Sequence, residues 1–216
     1  MAAKLGIAIS TVPIEAAHAA FTEMLLPVVG DETIEVGDLT DHNLQSRIRG
    51  VVLMAMANEH GWLVLTTGNK SEAAVGYSTL YGDTAGAYAV IRDVWKLTVY
   101  DLCRWRNETA GREIVPVGVL TKAPSAELRP DQRDDQSLPP YEVLDPILRA
   151  YVEDDRTVGE IIAMELSDSD PELVRRVCRL VDTAEYKRRQ TPLGPRVTAK
   201  AFGRDRRVPI VNGYRG

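Results

Sequence analysis

The feature that most constrains how this chain folds is an uninterrupted apolar run at residues 62–66 (WLVLT), followed at once by the polar segment 67–72 (TGNKSE). A short apolar run without polar alternation is typical of a strand buried on both faces of a parallel sheet. Gly68 and Asn69 indicate a turn, after which a helix can begin. We therefore predict a strand–turn–helix junction over residues 65–72, the kind of place where open α/β sheets bind ligands.

Two interpretations of this junction follow from its residue types. The start of a helix presents unpaired N–H groups and a partial positive charge, which suit an anion, and Thr67 can donate to a phosphate or a ring nitrogen. Glu72, in the first helical turn, can hold a hard cation such as Mg²⁺, which prefers oxygen ligands. Alternatively, Glu72 belongs only to a helix cap. The residue types by themselves favour the cap, because such caps are common.

The rest of the chain alternates between predicted strands and helices. Strands are predicted at 7–14, 62–66 and 88–92, and helices at 14–26, about 40–60, 95–107, 141–153, 157–164 and 170–189. Thr40 or Asp41 is expected to cap the long helix that ends near residue 60, after a Gly- and acid-rich connector at 30–38. This order predicts an α/β fold, in which a parallel sheet is flanked by helices and further helices follow at the C-terminus.

Length and hydrophobic content bound the domain organisation. The chain has 216 residues and is 44% hydrophobic, which suffices for one domain with a core of its own. We predict a single domain over 1–216, with an α/β core at 1–120. A surface loop rich in Pro, Asp and Gln is predicted at 121–140, and helices with a strongly basic tail at 141–216.

Composition also excludes several classes of function. A net charge of −5 gives no reason to expect nucleic acid as a partner, and no apolar run approaches the ~20 residues that span a bilayer. Cys103 and Cys178 are widely spaced, as in proteins of a reducing compartment. The N-terminus does not resemble a secretory signal, so we expect a cytoplasmic protein. The three histidines lack metal-ligand spacing, and no Ser/His/Asp triad is supported.

Three cationic features remain as candidate anion-binding groups. Arg47 shares a helix face with Asn43 and can pair bidentately with a phosphate or carboxylate. Its ordinary interpretation is an ion pair with Asp38 or Asp41 on a solvated face. Lys96, at a helix start, and the run 186–189 (YKRR) are the other two, although charge runs usually lie on solvated faces.

Five segments, taken together, are more specific than any one of them. They are HNLQSRIRG at 42–50, LVLTTGNKSEAAVGYSTLYGD at 63–83, DVWKLTVYDLCRW at 93–105, LTKAPSAELRPDQRDDQSLPPYEVLD at 120–145 and EYKRRQ at 185–190. In these residues and in their order the chain resembles NAD⁺ synthetases, above all the glutamine-dependent bacterial kind. The resemblance extends over nearly the whole chain and disfavours other ATP pyrophosphatases. It implies a truncated adenine-nucleotide alpha-hydrolase-like (N-type ATP pyrophosphatase) fold.

The resemblance also implies a reaction and its partners. In this family ATP adenylates the nicotinate carboxylate of deamido-NAD⁺, and ammonia then attacks the acyl adenylate to give NAD⁺. In glutamine-dependent members a separate glutaminase domain supplies the ammonia, and the enzymes form homodimers. The implied site residues are Thr67, Lys96 and Ser125 for ATP, Glu72 for Mg²⁺, and Arg47, Lys187 and Tyr186 for deamido-NAD⁺, with Tyr186 standing where relatives have His.

The sequence departs from the family pattern in ways that lower the expected activity. The pyrophosphate-binding SGGxDS motif occurs nowhere in it, and with that motif the first strand of the sheet is missing. Trp95 and Leu97 replace the Pro and Thr that flank Lys96 in the family. We therefore expect the chain to be inactive alone and to aggregate or need a partner chain. The alternative is a non-catalytic remnant that dimerises or binds a dinucleotide.

Overall fold

The structure is a computed structural model that describes residues 1–29, 38–166, 170–211, 213 and 214. The helices in this part of the chain are α1 Ala2–Leu5, α2 Glu15–Val29, α3 Leu39–His60, α4 Lys70–Val75, α5 Lys96–Ala110, α6 Val117–Thr121, α7 Tyr141–Val152, α8 Val158–Ala163, α9 Pro171–Thr183 and α10 Glu185–Arg188. The strands are β1 Leu65–Thr66 and β2 Tyr88–Ala89, and a 3₁₀ turn spans Asp134–Gln136. Among these helices none is long and apolar enough to cross a membrane.

The sheet is small and parallel. Leu65 of β1 pairs with Tyr88 of β2, and Thr66 pairs with Ala89. On the other side of β2, the backbone N–H of Ala89 donates to the carbonyl oxygen of Leu193 at 2.8 Å. The predicted α/β class, with parallel strands flanked by helices, is confirmed. Both strands are shorter than predicted. β2 ends because the chain turns after Ala89, where the N–H of Val94 bonds back to the carbonyl of Ile91, and β1 is limited to the two residues that pair with β2.

The strand predicted at 7–14 is wrong. These residues form no strand and lie at the surface, with Ile9 80% exposed. A strand is stable only when a neighbour completes its hydrogen-bonded ladder. Within the described residues, β1 and β2 bond to each other and neither reaches residues 7–14. Apolar content alone therefore misidentified this segment.

The long helix α3 begins one or two residues before the predicted cap. Its N-cap is Asp38, whose side chain accepts a hydrogen bond from the N–H of Asp41 at 2.6 Å, so the prediction of Thr40 or Asp41 is wrong. Most of the predicted connector at 30–38 lies outside the described residues. The side chain of Asp41 instead lies 2.7 Å from Nε2 of His18, which joins α2 to α3.

The hydrophobic core lies among α4, α7, α8 and α9. Leu144, Ile147 and Leu148 of α7 are fully buried, at helical spacing, against Ile161 of α8 and a row of valines on α9. Helices were predicted in all of these places, because this spacing is a local pattern. The core holds α4 at its edge, and with it the junction that follows β1.

The last predicted helix, at 170–189, divides in two at Ala184. A continuous helix would use the carbonyl of Val181 for the N–H four residues on. Here that carbonyl accepts from the guanidinium of Arg188 at 2.7 Å, and the same guanidinium donates to the carbonyl of Ala74 at 2.7 Å. The side chain of Arg188 therefore ends α9 and ties α10 to α4.

Candidate functional site

The junction at residues 65–72 is a capped helix start. Asn69 is the N-cap of α4: its side chain accepts from the N–H of Glu72 at 3.0 Å, and Oε2 of Glu72 accepts from the N–H of Asn69 at 3.0 Å. This reciprocal pair is a capping box. The cap that the residue types favoured is thus formed, and Thr67 remains exposed just before it.

Glu72 also faces a second helix. Its other carboxylate oxygen, Oε1, lies 3.3 Å from Nζ of Lys96, the first residue of α5. The Lys96 ammonium in turn lies 5.2 Å from the centroid of the Tyr141 ring. The side chains of Glu72 and Lys96 are each 20% exposed, so this pair is partly shielded from water yet reachable by a ligand. Three predicted site residues, Thr67, Glu72 and Lys96, therefore belong to one region.

Lys96 is held in place by groups that sequence reasoning missed. Trp95, the N-cap of α5, makes no side-chain cap bond. Instead, Oδ2 of the buried Asp145 accepts from the N–H of Leu97 at 3.0 Å, and its Oδ1 accepts from the Ser71 hydroxyl at 2.5 Å. The Ser71 oxygen accepts the N–H of Lys96 at 2.9 Å. Burial raises the pKa of Asp145, although these hydrogen bonds oppose the shift.

The segment after residue 121 is pinned beside this pair by a buried carboxylate. The Tyr141 hydroxyl donates to Oδ2 of Asp134 at 3.0 Å, and the backbone N–H of Asp134 donates to the carbonyl of Pro124 at 2.8 Å. Burial, reinforced by Asp134, raises the pKa of Tyr77 to about 12. Burial also raises the pKa of Tyr141, so both phenols stay protonated near pH 7. Ser125 follows Pro124 directly, and its oxygen accepts from the N–H of Glu127 at 3.0 Å.

A cavity of about 500 Å³ opens between α5, α6, this loop and the start of α7. Its lining residues are Leu97, Tyr100, Asp101, Arg104, Leu120, Thr121, Lys122, Ala123, Pro124, Asp134, Asp135, Pro139, Pro140, Tyr141 and Glu142. Tyr141 is thus both a wall of the cavity and a neighbour of Lys96. The Glu72–Lys96 pair thus adjoins the cavity through Tyr141, although neither of its residues lines the cavity.

The predicted deamido-NAD⁺ residues form a second group, around the segment that leaves α4. Nε of Arg47 donates to the carbonyl of Leu80 at 3.2 Å. Nζ of Lys187 donates to the carbonyls of Gly76 and Ser78, each at 2.7 Å. Burial lowers the pKa of Lys187, against the opposing charge of Asp83.

This second group lies beside open space. The hydrogen bond from Arg47 differs from the expected ion pair with Asp38 or Asp41, and Tyr186 is exposed. A cavity of about 800 Å³ is lined by residues of α3, by residues 81–86 and by residues 189–192. Because α4 joins Glu72 to Gly76, the two groups are at opposite ends of one short helix.

In the described part of the chain, no group of three or more His, Cys, Asp or Glu side chains is placed to hold a metal ion. Glu72 therefore belongs to no preformed three-ligand cluster within the described residues. Mg²⁺ sites commonly use one or two carboxylates and take their other ligands from phosphates and water. A single glutamate beside the cavity is compatible with that pattern.

Comparison with known proteins agrees with this architecture. A family model described as NAD synthase matches residues 1–191. The glutamine-dependent NAD(+) synthetase of Acinetobacter baylyi is 48% identical over 214 residues, which are 99% of this chain and 38% of the relative. That of Thermotoga maritima is 47% identical over 216 residues, which are 100% of this chain and 36% of the relative. This chain thus spans little more than a third of the length of these relatives.

Solved structures give the same picture. The glutamine-dependent NAD⁺ synthetase of Acinetobacter baumannii, in complex with ADP, is 44% identical, with a TM-score of 0.53 over 98% of this chain and 36% of that one. The enzyme of Cytophaga hutchinsonii, 22% identical, shares the fold with a TM-score of 0.78 over 98% of this chain and 35% of that one. The family model, which matches residues 1–191, and relatives nearly half identical over the whole chain lead to one conclusion: the chain belongs to the NAD synthase family.

Proposed function

We propose that this chain is a segment of an NAD⁺ synthetase and takes part in the ATP-dependent amidation of deamido-NAD⁺ to NAD⁺. The observation that carries the proposal is the Glu72–Lys96 pair, which sets a carboxylate and an ammonium 3.3 Å apart beside the cavity at Tyr141. Adenylation of a carboxylate needs cationic groups around the phosphates while the displacement proceeds. Ammonia then attacks the acyl adenylate and releases AMP.

ATP is proposed to lie between the junction and the loop that carries Ser125. Thr67 and Lys96 are our candidates for its phosphates and base, and Ser125 for a further contact. The ADP complex of the Acinetobacter baumannii enzyme supports a nucleotide site in the family. A fifth of the Lys96 side chain is accessible to solvent, which supports its contact with a ligand.

Glu72 is proposed to hold Mg²⁺. One of its oxygens is engaged by the capping box and the other faces Lys96, so a bound cation would compete with Lys96 for Oε1. When bound, the ion would neutralise phosphate charge. Lys96, released from Glu72, would then be available to the nucleotide.

Deamido-NAD⁺ is proposed to bind near Arg47, Lys187 and Tyr186. Arg47 and Lys187 both donate to backbone carbonyls of the segment 76–80, so they also shape that segment. The cavity of about 800 Å³ beside it is large enough for part of a dinucleotide.

Two exposed apolar surfaces support the proposal that this chain binds partner chains. Within the described residues β1 has β2 on one side and no strand on the other, and Leu63 and Leu65 are 65% and 53% exposed. The rest of a synthetase domain, carrying the SGGxDS motif, would cover this edge. Phe21 and Met24 of α2 and Val51 of α3 are also exposed, and they support a homodimer.

The proposed location is the cytoplasm. Cys103 and Cys178 are both free thiols, as is usual in a reducing compartment. Ammonia would come from a glutaminase domain or directly from solution.

The test is NAD⁺ formation from deamido-NAD⁺, ATP, Mg²⁺ and ammonia, first with the purified chain and then with an added fragment of a relative that carries SGGxDS. We call the two together the complemented enzyme. The expected result is no turnover alone and turnover after complementation, abolished by Thr67→Ala or Glu72→Ala. Turnover by the chain alone, lost in those variants, would show that the missing motif is dispensable. No turnover in either condition would favour the non-catalytic alternative.

A further inference from the structure

Lys70, the residue after the N-cap of α4, is a buried lysine whose ammonium group is engaged within the protein. Its side chain is 0% exposed. Nζ lies 2.9 Å from Oδ1 of Asp93 and 2.7 Å from Oε1 of Glu153, and it donates to the carbonyl of Lys200 at 2.7 Å. An ammonium group with these partners is not available to a ligand.

Asp93 binds the same C-terminal segment that supplies the Lys200 carbonyl to Lys70. Its Oδ2 accepts from the backbone N–H groups of Val197 and Thr198, each at 2.8 Å. The Thr198 hydroxyl lies 2.5 Å from Nζ of Lys70 and 2.8 Å from Oδ1 of Asp93. Residues 197–200 therefore supply hydrogen-bond partners to two buried charged groups of the α/β core, Lys70 and Asp93.

The C-terminal segment that makes these contacts, which we call the tail, is attached to the rest of the protein at further points. We define it as residues 193–207. It begins at Leu193, whose carbonyl accepts from Ala89 of β2, and it buries Ala201 and Phe202. A local ion pair, Arg196 Nε to Asp205 Oδ2 at 2.7 Å, closes it on itself. The family model stops at residue 191, but the alignments to glutamine-dependent relatives reach 99–100% of the chain.

A chain of contacts leads from Lys70 to both groups of the Glu72–Lys96 pair. Lys70 follows Asn69, the N-cap that bonds Glu72. Glu153, the second partner of Lys70, also accepts from Nε1 of Trp95 at 2.9 Å, and Trp95 immediately precedes Lys96. Lys70 further lies 4.6 Å from the centroid of the Trp95 ring. Displacement of Lys70 would therefore disturb the start of α4 and the start of α5 together.

We propose that the tail at 193–207 is part of the nucleotide site's scaffold, and that Lys70 and Asp93 are positioning residues that couple it to Glu72 and Lys96. The role in the reaction rests on the proposed function, whereas the coupling itself does not. Loss of the tail removes Thr198 and Lys200 as partners of the Lys70 ammonium, and Val197 and Thr198 as partners of the Asp93 carboxylate. Buried charges that lose hydrogen-bond partners force local rearrangement.

The first test measures amide hydrogen exchange at residues 69–73 and 95–98 in the full chain. Thr198→Val removes one hydroxyl at nearly constant shape, and we expect exchange in both segments to rise about tenfold. Thr183→Val is the matched control, because the Thr183 hydroxyl bonds only within α9, to Arg179 and Leu180. A chain that ends at residue 192 should show a larger rise, reversed by a synthetic peptide of residues 193–210. Unchanged exchange in Thr198→Val would overturn the proposal, even if the shortened chain does not fold.

The second test uses the complemented enzyme. Thr198→Val should raise KM for ATP about fivefold and leave KM for deamido-NAD⁺ unchanged. The KM for ATP should stay closer to the wild-type value in Lys70→Arg than in Lys70→Met. A lower melting temperature with both KM values unchanged would mean that the tail only stabilises the fold, and would overturn the role in the site. If the wild-type complemented enzyme is inactive, the proposed function fails, and hydrogen exchange still decides the coupling.

Discussion

The ammonium group of Lys96 lies 3.3 Å from a carboxylate oxygen of Glu72, and this contact joins the first turns of two helices separated by 20 residues of chain. Each group neutralises the other in the absence of a ligand. A nucleotide with its cation would replace one internal ion pair by two external ones. Under the proposed function, the two halves of the pair would bind opposite charges of the ligand.

Lys96→Met should separate function from stability. A partly exposed ion pair contributes little, so the free energy of unfolding should change by less than about 1 kcal/mol. Turnover of the complemented enzyme should fall about 100-fold, because the cation that we propose to face the transferring phosphates is lost. Lys4→Met is the control, since Lys4 forms an exposed ion pair with Glu113 away from both cavities. Equal turnover in the two variants would remove Lys96 from the site.

Asn69→Ala should destabilise the junction through its cap. Replacement deletes the acceptor for the N–H of Glu72 and costs about 1 kcal/mol of unfolding free energy. Asn69→Asp keeps an acceptor in the same place and should retain most of the stability. Denaturant unfolding of the three proteins measures the difference. A midpoint for Asn69→Ala equal to that of the wild type would contradict the observed cap.

Gly82→Ala should disrupt the contact between α3 and the segment after α4. A Cβ at Gly82 would lie 2.2 Å from Oγ and 2.9 Å from Cβ of Ser46, so one side must move, at a cost of about 1–3 kcal/mol. Gly159→Ala, where a Cβ would meet nothing within 4 Å, should instead stabilise α8 by roughly 0.5–1 kcal/mol. The thermal midpoints should therefore move in opposite directions. Ser46→Gly should partly rescue Gly82→Ala.

The contribution of the Asp93 carboxylate to the free energy of unfolding should depend on pH in the acid range. Burial alone would raise its pKa, but the N–H of Thr198, the Lys70 ammonium and the N–H of Val197 outweigh it and hold the pKa below 3.8. A depressed folded-state pKa stabilises the fold above about pH 3.8, and this stabilisation is lost as the pH falls through the folded value. Asp93→Asn should thus be less stable than wild type near pH 7. The gap between their free energies of unfolding should narrow as the pH falls into the acid range.

Urea unfolding at a series of pH values measures that gap. Asp101→Asn is the control, because Asp101 is an exposed residue paired with Arg104 one helical turn away. A gap for Asp93→Asn that stays constant from pH 7 into strong acid would show that the Asp93 charge does not stabilise the tail.

Local patterns predicted much of this fold. The helices of the C-terminal half follow from apolar residues at helical spacing, and the start of α4 follows from Asn69 and Glu72 three residues apart. Extended apolar runs were less informative, because a run such as 7–14 is a strand only if another strand lies beside it. The roles of Thr67, Glu72, Lys96, Ser125, Arg47, Lys187 and Tyr186 remain predictions, although the structure places Glu72 against Lys96.

The sequence by itself determined where the helices lie, how the junction is capped and which family the chain resembles, since each depends on residues near one another or on whole segments in order. The tertiary structure alone decided the partners of the buried charges. Lys70 meets Glu153 and Thr198 from 83 and 128 residues away, and Asp145 reaches Ser71 across 74 residues. Such pairs arise because a buried charge must find a partner wherever the packed chain supplies one, and no local pattern records which one it will be.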